Sequence, residues 1–268
     1  MKKYLILFIM LLGACSVFEQ EEPAKTEHIS AHPQTMATLY NHYAAEYRAL
    51  AYQAFNMASD RVDRIKEERP DATKLGIVVD IDETLLDNSP HQALMIAKDS
   101  SYPYMWNEWC NMAAAKPVPG ALAFLQYADK NGFHIFYVSN RKDKYTRLGT
   151  MKNLAGMGFP QLGENNILLR LERSDKNPHP SDKQARRDAI TAGGYEIVLL
   201  IGDNLGDFYS DAEQCDERTK QVDAFMKEFG SRFIILPNAM YGNWPASIGI
   251  SNESSMDSLL LEMTKIFE

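Results

Sequence analysis

The sequence predicts an α/β protein built on a doubly wound, Rossmann-like parallel sheet that carries a small, mainly helical cap. Three observations predict it. Short apolar runs alternate with amphipathic helical stretches, and the strongest run, Leu75-Gly76-Ile77-Val78-Val79-Asp80-Ile81, lacks the polar alternation of a half-exposed strand, so it reads as buried on both faces. Carboxylates follow the carboxyl ends of these runs, where open α/β sheets bind their ligands. One aromatic-rich stretch, residues 91–119, breaks the alternation and reads as an insertion over that edge.

At the amino end, Lys2 and Lys3 precede an apolar run over 4–12 that is too short to span a bilayer. Residues 1–14 therefore read as a signal peptide. The segment closes on Leu12-Gly13-Ala14-Cys15, which resembles a bacterial lipobox and implies lipidation of Cys15. Buried acyl chains contribute roughly 0.8 kcal/mol per CH₂, enough to hold a multiply acylated protein on a membrane without a spanning helix. Ser16 supplies no inner-membrane retention signal of the aspartate type, so the expected location is the outer membrane, lipid-anchored and facing the periplasm or the cell surface. Residues 15–34, polar, acidic and broken by Pro23 and Pro33, suit a flexible tether to a single domain over 35–268.

Within that domain, apolar residues at Met36, Leu39, Tyr40, Tyr43, Tyr47, Leu50, Ala54, Met57, Ala58, Val62 and Ile65 step by three and four, predicting one long helix over 35–67 that Pro70 ends. After the strand over 75–81, further strands are expected at 133–138 and 196–201, with weaker ones at 167–169 and 233–236. Helical patterns fill 121–130, 144–156, 182–191, 212–229 and 255–267. The insertion carries Tyr102, Tyr104, Trp106 and Trp109, which either recognise a flat substrate group or fill a small subdomain core.

The formal net charge of −8 argues against a partner that is a nucleic-acid polymer or an anionic surface, since those require basic faces. With Cys15 assigned to lipid, Cys110 and Cys215 remain, and no disulfide is expected between them. A homodimer is left open.

The chemistry concentrates in Asp80-Ile81-Asp82-Glu83-Thr84-Leu85, which follows the first strand, and in Gly202-Asp203-Asn204-Leu205-Gly206-Asp207-Phe208, which follows another. Ser139 and Asn140 close the second strand, and Lys183 lies in a polar loop that begins a helix. An aspartate pair alone is a weak sign, because Asp is common where strands end in turns. The whole set in this order resembles the haloacid dehalogenase superfamily and, within its four-aspartate phosphatases, the class C acid phosphatases. That family's D-x-D-E-T pattern falls on Asp80, Asp82, Glu83 and Thr84, and its G-D-x-L-x-D-F pattern on Gly202, Asp203, Leu205, Asp207 and Phe208. Leu85 stands where valine or methionine is usual, and His91 near a usual tyrosine.

The resemblance implies a haloacid dehalogenase-like fold and one Mg²⁺ per chain, held by carboxylate oxygens of Asp80 and Asp203, the backbone carbonyl of Asp82, and Asp207. It implies Asp80 as nucleophile, Asp82 as general acid and base, Ser139 as a donor to phosphoryl oxygens, and Lys183 as the cation beside the nucleophile. The residue types suit the task on their own terms: a carboxylate approaches an anionic phosphate only if other charges offset the repulsion, and a hard divalent ion with oxygen ligands does so. Arg141, Arg186 and Arg187 are expected on a solvated face.

The implied substrates are small phosphomonoesters, nucleoside 5′-monophosphates and nicotinamide nucleotides among them, with Asn140, Tyr241, Trp106 and Tyr104 as candidate substrate-binding residues. Two other functions stay open. One is a surface lipoprotein binding haem or another nutrient through His28, His32, His42, His91, His134 or His179; the other is a phosphotransferase acting on alcohol acceptors.

Overall fold

A computed structural model of the chain describes residues 32–175, 177–251 and 253–267. The expected signal peptide, the acceptor Cys15 and the tether up to residue 31 lie outside them. The amphipathic stretch that follows forms two helices, α1 (Thr35–Tyr43) and α2 (Ala45–Glu68), instead of the single helix expected. Ala44 sits extended between them, with ψ 132°. The break has a packing cause: α2 buries Ala51, Phe55, Ala58, Val62 and Ile65 in the main core, whereas α1 turns aside to bury Thr38 and Asn41 against the inserted segment.

Strand β1 (Leu75–Val79) is buried along its whole length, as its unbroken apolar sequence requires. The insertion begins earlier than expected, at β2 (Leu86–Asp87), which pairs antiparallel with β3 (Lys116–Pro117) and so closes the insertion at its neck. Between them lie α3 (Ser89–Ala97) and α4 (Trp106–Met112). Then follow α5 (Ala121–Lys130), β4 (His134–Lys142), α6 (Asp143–Met157), β5 (Ile167–Arg170), α7 (Gln184–Ala192) and β6 (Glu196–Gly202). The chain continues through α8 (Cys215–Ala224), shorter than the helix expected over 212–229, then β7 (Phe233–Ile235), α9 (Trp244–Ser247) and α10 (Glu253–Thr264).

The five long strands form one parallel sheet in the order β5-β4-β1-β6-β7. From β1 the chain moves outward through β4 and β5, then returns to the other side of β1 at β6, so the direction of winding reverses between β1 and β6. Side chains alternate across the sheet. Ile77 and Val79 join Leu199, Ile201 and α2 in one core, while Val78 joins Phe136, Leu200, Phe208 and Phe233 in the other. Each fully buried Ile, Leu or Phe of these layers contributes about 1.5–3 kcal/mol relative to exposure. No helix among the described residues is long and apolar enough to cross a membrane.

The cap is seated on α6 by a close helix crossing. A Cβ on Gly149 would come within 2.5 Å of the Cys110 carbonyl and 2.6 Å of the Asn111 Cα, so the absence of a side chain lets α4 reach α6. Asn111 Nδ2 donates to the Tyr145 carbonyl at 3.0 Å, and Asn153 Nδ2 to the Ala115 carbonyl at 2.8 Å, fixing the contact at both ends. Gly149→Ala is accordingly expected to cost about 1–3 kcal/mol in denaturant unfolding, and an unchanged midpoint would show that the crossing is not tight.

Candidate active site

The winding reversal places the carboxyl ends of β1 and β6 side by side, and the acidic motifs stand there. The Asp80 amide donates to the Ile201 carbonyl at 2.9 Å, carrying the strand pairing one residue past β1 and holding the nucleophile candidate against β6. The chain then turns sharply at Glu83, a non-glycine residue with φ of 56°. The fully buried Glu83 carboxylate accepts the Asn88 amide at 2.7 Å and Asn88 Nδ2 at 3.1 Å. Burial first, then the charges of Asp82 and Asp203, raise the Glu83 pKa well above the usual carboxylate range.

Past β6, Leu205–Asp207 forms a 3-10 turn capped in both directions: Asn204 Oδ1 accepts the Gly206 amide at 3.2 Å, and Asp207 Oδ2 accepts the Asn204 amide at 2.9 Å. This folds Asp207 back under the strand end. A Cβ on Gly202 would stand 2.2 Å from Asp207 Oδ2, so only glycine leaves room for it.

Lys183, at the amino end of α7, joins the two motifs. Its Nζ donates to Asp80 Oδ1 and, at 2.5 Å, to Asp207 Oδ1. Asp203 is held by Asn238 Nδ2 at 2.8 Å and Thr84 Oγ1 at 3.3 Å. Carboxylate oxygens of Asp80, Asp203 and Asp207 lie within 4.8 Å of one another. One ammonium does not balance three such groups. Burial, with Asp207 and Asp82 adding to it against the opposing pull of Lys183, pushes the Asp80 carboxyl up to about 7. Burial, then Asp207 and Asp80, hold the Asp203 carboxyl well above its ordinary value. Burial works against the Lys183 charge, but Asp207 and Asp80 raise its pKa above the ordinary lysine value. A buried, under-neutralised set of hard oxygen donors is the chemistry that fits a divalent cation.

Asp82 stands apart from this trio and is bonded by Arg141, whose Nη2 donates to Oδ1 at 2.7 Å. Ser139 Oγ lies 3.3 Å from Asp82 Oδ2. Asp82 and Arg141, with the aspartate trio and Lys183, line a cavity of about 520 Å³ that is also lined by Asn140, Trp106 and Tyr241; Ser139, expected at the site, is fully buried behind Asp82 and does not line it. Tyr104 does not line it; Tyr102 takes that place, and the Tyr104 carbonyl accepts a hydrogen bond from His91 Nε2 at 2.8 Å. Trp109 packs against the main core and donates Nε1 to Asn88 Oδ1 at 2.8 Å.

The arginines correct the expectation of a solvated face. Arg141 and Arg187 are 1 % and 4 % exposed. Arg187 Nη1 bonds the Gly206 and Asp207 carbonyls at 3.1 and 3.0 Å, bracing the acidic turn. Arg186 bonds the Ser139 carbonyl and Asn140 Oδ1, both at 2.6 Å, and burial brings its pKa down to about 10. Sequence reasoning also passed over Asn88 and Asn238, which bond catalytic candidates, and Gln34, which lines the cavity from the segment before α1. Among the described residues the aspartate trio is the only group of three or more metal-ligating side chains, and no histidine belongs to it. Cys110 and Cys215 are unbonded.

An open parallel sheet that gathers carboxylates, a lysine and a serine at its winding reversal is the architecture of a phosphoryl-transfer hydrolase. The chain belongs to the acid phosphatase family of HAD superfamily subfamily IIIB, whose model matches residues 15–244. Two structures of the class C acid phosphatase from Bacillus anthracis are similar to it at 36 % identity. The one with tungstate bound superposes with a TM-score of 0.75 over 85 % of this chain and 95 % of that one, the other with 0.74 over 87 % and 95 %. Acid phosphatase 1 of Solanum lycopersicum is 27 % identical over 176 residues, 62 % of this chain and 66 % of that protein, just short of two thirds of its length.

The raised carboxyl groups have a consequence for stability. The folded state binds the Asp80 proton more tightly than the unfolded chain does, so its contribution is present in the ordinary carboxylate range and is lost as pH rises through about 7; Asp203 acts in the same direction. Metal-free protein in EDTA is therefore expected to melt several degrees lower at pH 8 than at pH 5, with added Mg²⁺ restoring more at pH 8. Equal melting temperatures in EDTA at the two pH values would contradict it.

Proposed function

We propose that the protein is a magnesium-dependent acid phosphatase that hydrolyses small phosphomonoesters through an aspartyl-phosphate on Asp80. The observation that carries this reading is the placement of Asp80: a buried carboxylate bonded by Lys183, beside Asp203 and Asp207, and open to a cavity that Asp82 also lines. The tungstate in the Bacillus anthracis structure supports it, because tungstate is a tetrahedral oxyanion like phosphate.

A carboxylate oxygen of Asp80 attacks phosphorus as the ester P–O bond breaks, and Asp82 gives its proton to the departing oxygen. Asp82 then takes a proton from water, which attacks phosphorus, breaks the bond to Asp80 and releases inorganic phosphate. Lys183 orients Asp80 and offsets charge, and Ser139, buried behind Asp82, directs its hydroxyl to Asp82 Oδ2. Asp80, Asp203, Asp207 and the Asp82 carbonyl would hold Mg²⁺, which when bound neutralises phosphate charge.

Trp106 and Tyr102 from the cap and Tyr241 from the loop after β7 line the same cavity, which supports nucleoside 5′-monophosphates and nicotinamide nucleotides as substrates. A base stacked on an aromatic ring gains about 1–3 kcal/mol. Cys15 is proposed as the lipidated residue of an outer-membrane anchor, supported by the sequence around it.

Turnover of p-nitrophenyl phosphate is expected to require Mg²⁺, to stop in EDTA, and to fall on the order of 10⁴-fold in Asp80→Asn. On an alkyl phosphate, whose leaving group needs a proton, the rate should be greatest at acidic pH; a rate on that ester still climbing above about pH 8 would exclude Asp82 as the proton donor. Tyr241→Ala should raise KM roughly 5-fold or more for nucleoside monophosphates but not for a small aryl phosphate, and a KM unchanged for both would end the stacking proposal. Cys15→Ala should abolish palmitate labelling and release the protein from membranes; retained labelling would rule out the anchor.

A further inference from the structure

The two carboxylate oxygens of Asp82 are held very differently. Oδ1 accepts from Arg141 Nη2 at 2.7 Å, from Arg141 Nε at 2.9 Å and from Asn88 Nδ2 at 2.9 Å. Three donors at normal hydrogen-bonding distance saturate it, since a carboxylate oxygen offers about two lone-pair sites. Oδ2 has only longer contacts, 3.2 Å from Arg141 Nε and 3.3 Å from Ser139 Oγ. A proton on Oδ1 would point at three donors; a proton on Oδ2 displaces nothing stronger than these.

Arg141 is itself immobile. Its Nη1 donates to Thr150 Oγ1 at 3.1 Å, its backbone amide donates to Ser139 Oγ at 3.1 Å, and its guanidinium carbon lies 5.7 Å from the centre of the Trp106 ring. The planar guanidinium offers Nε and Nη2 as a fork to one carboxylate, a geometry that lysine cannot copy. Asn88, the other holder of Oδ1, is fixed through Oδ1 of its own amide by Trp109 Nε1 at 2.8 Å. Trp106 and Trp109 are three residues apart on α4, so one face of the cap helix supports both groups that grip Asp82.

We propose that Arg141 is a positioning residue which, with Asn88, locks Asp82 so that Oδ2 carries the transferred proton, and that Trp106 of the cap holds Arg141 in that position. This rests on the reading of Asp82 as the proton donor. The cap then acts on the chemical step as well as on substrate choice.

Proton donation matters most when the leaving group is a poor one, so the test compares an alkyl phosphate such as glycerol phosphate with p-nitrophenyl phosphate, whose leaving group departs without help. Arg141→Met is expected to lower kcat for the alkyl ester roughly 10–100-fold more than for the aryl ester, with KM for both nearly unchanged. Arg141→Lys should give an intermediate loss with the same bias, because it keeps the charge and loses the fork. Trp106→Leu, which keeps the guanidinium but removes the ring that holds it, should show a smaller bias of the same sign and serves if Arg141→Met does not fold. Equal losses on the two esters in these variants, or losses confined to KM, would overturn the assignment. Asp82→Asn separates the two ideas: if it shows the leaving-group bias and the Arg141 and Trp106 variants do not, only the positioning role falls; if it shows no bias, the proton-donor reading falls with it.

Discussion

Two buried carboxylates and a half-buried third, gathered around a single ammonium, are the constraint that the rest of this structure serves. Charges of one sign pushed together out of water are costly, and removing any neutralising partner leaves the remainder uncompensated. The fold meets the cost in pieces. The sheet supplies a ladder bond to Asp80, the loop after β7 supplies Asn238 to Asp203, the capped turn supplies the Asn204 amide to Asp207, and α7 is placed so that Lys183 reaches between the two motifs. What these do not cancel is negative and suits a divalent cation, so the residual imbalance is itself the basis for binding one.

The second acid is handled by a separate device. Asp82 is kept out of the trio by Arg141 and Asn88, and Asn88 also satisfies the buried Glu83 at the left-handed turn between the two aspartates and the cap. The neck of the insertion and the acidic loop after β1 are thus one hydrogen-bonded unit. Moving the cap without disturbing Asp82 would require breaking bonds that are shielded from water, where they are at their strongest.

How much of this could be seen beforehand depended on whether the signal was local. The sheet and the four aspartates were legible because each aspartate follows an apolar run within a few residues, and such runs have few alternatives. The break at Ala44 was not, because residues on both sides keep helical spacing and only the differing partners of α1 and α2 decide it. The arginines misled for a similar reason: guanidinium groups near a polar loop are usually solvated, and the burial of Arg141 depends on Asp82, 59 residues away, and on Thr150 in α6. Asn88 and Gln34 carry no pattern at all; their roles arise from contacts across the cap. Tyr104 and Tyr102 differ only in which way a short loop presents them.

The partners in the centre are distant along the chain: Lys183 and Asp80 are 103 residues apart, Asp203 and Thr84 119. The first separation takes in β4 and β5, and the second also takes in the return from β5 to β6, so both contacts carry the entropy of closing long loops. A half-assembled chain therefore holds no more than isolated aspartates at an open strand end. The centre is whole only once β6 and the loop after β7 are both in place, so a fragment that ends before Asn238 lacks a holder of Asp203.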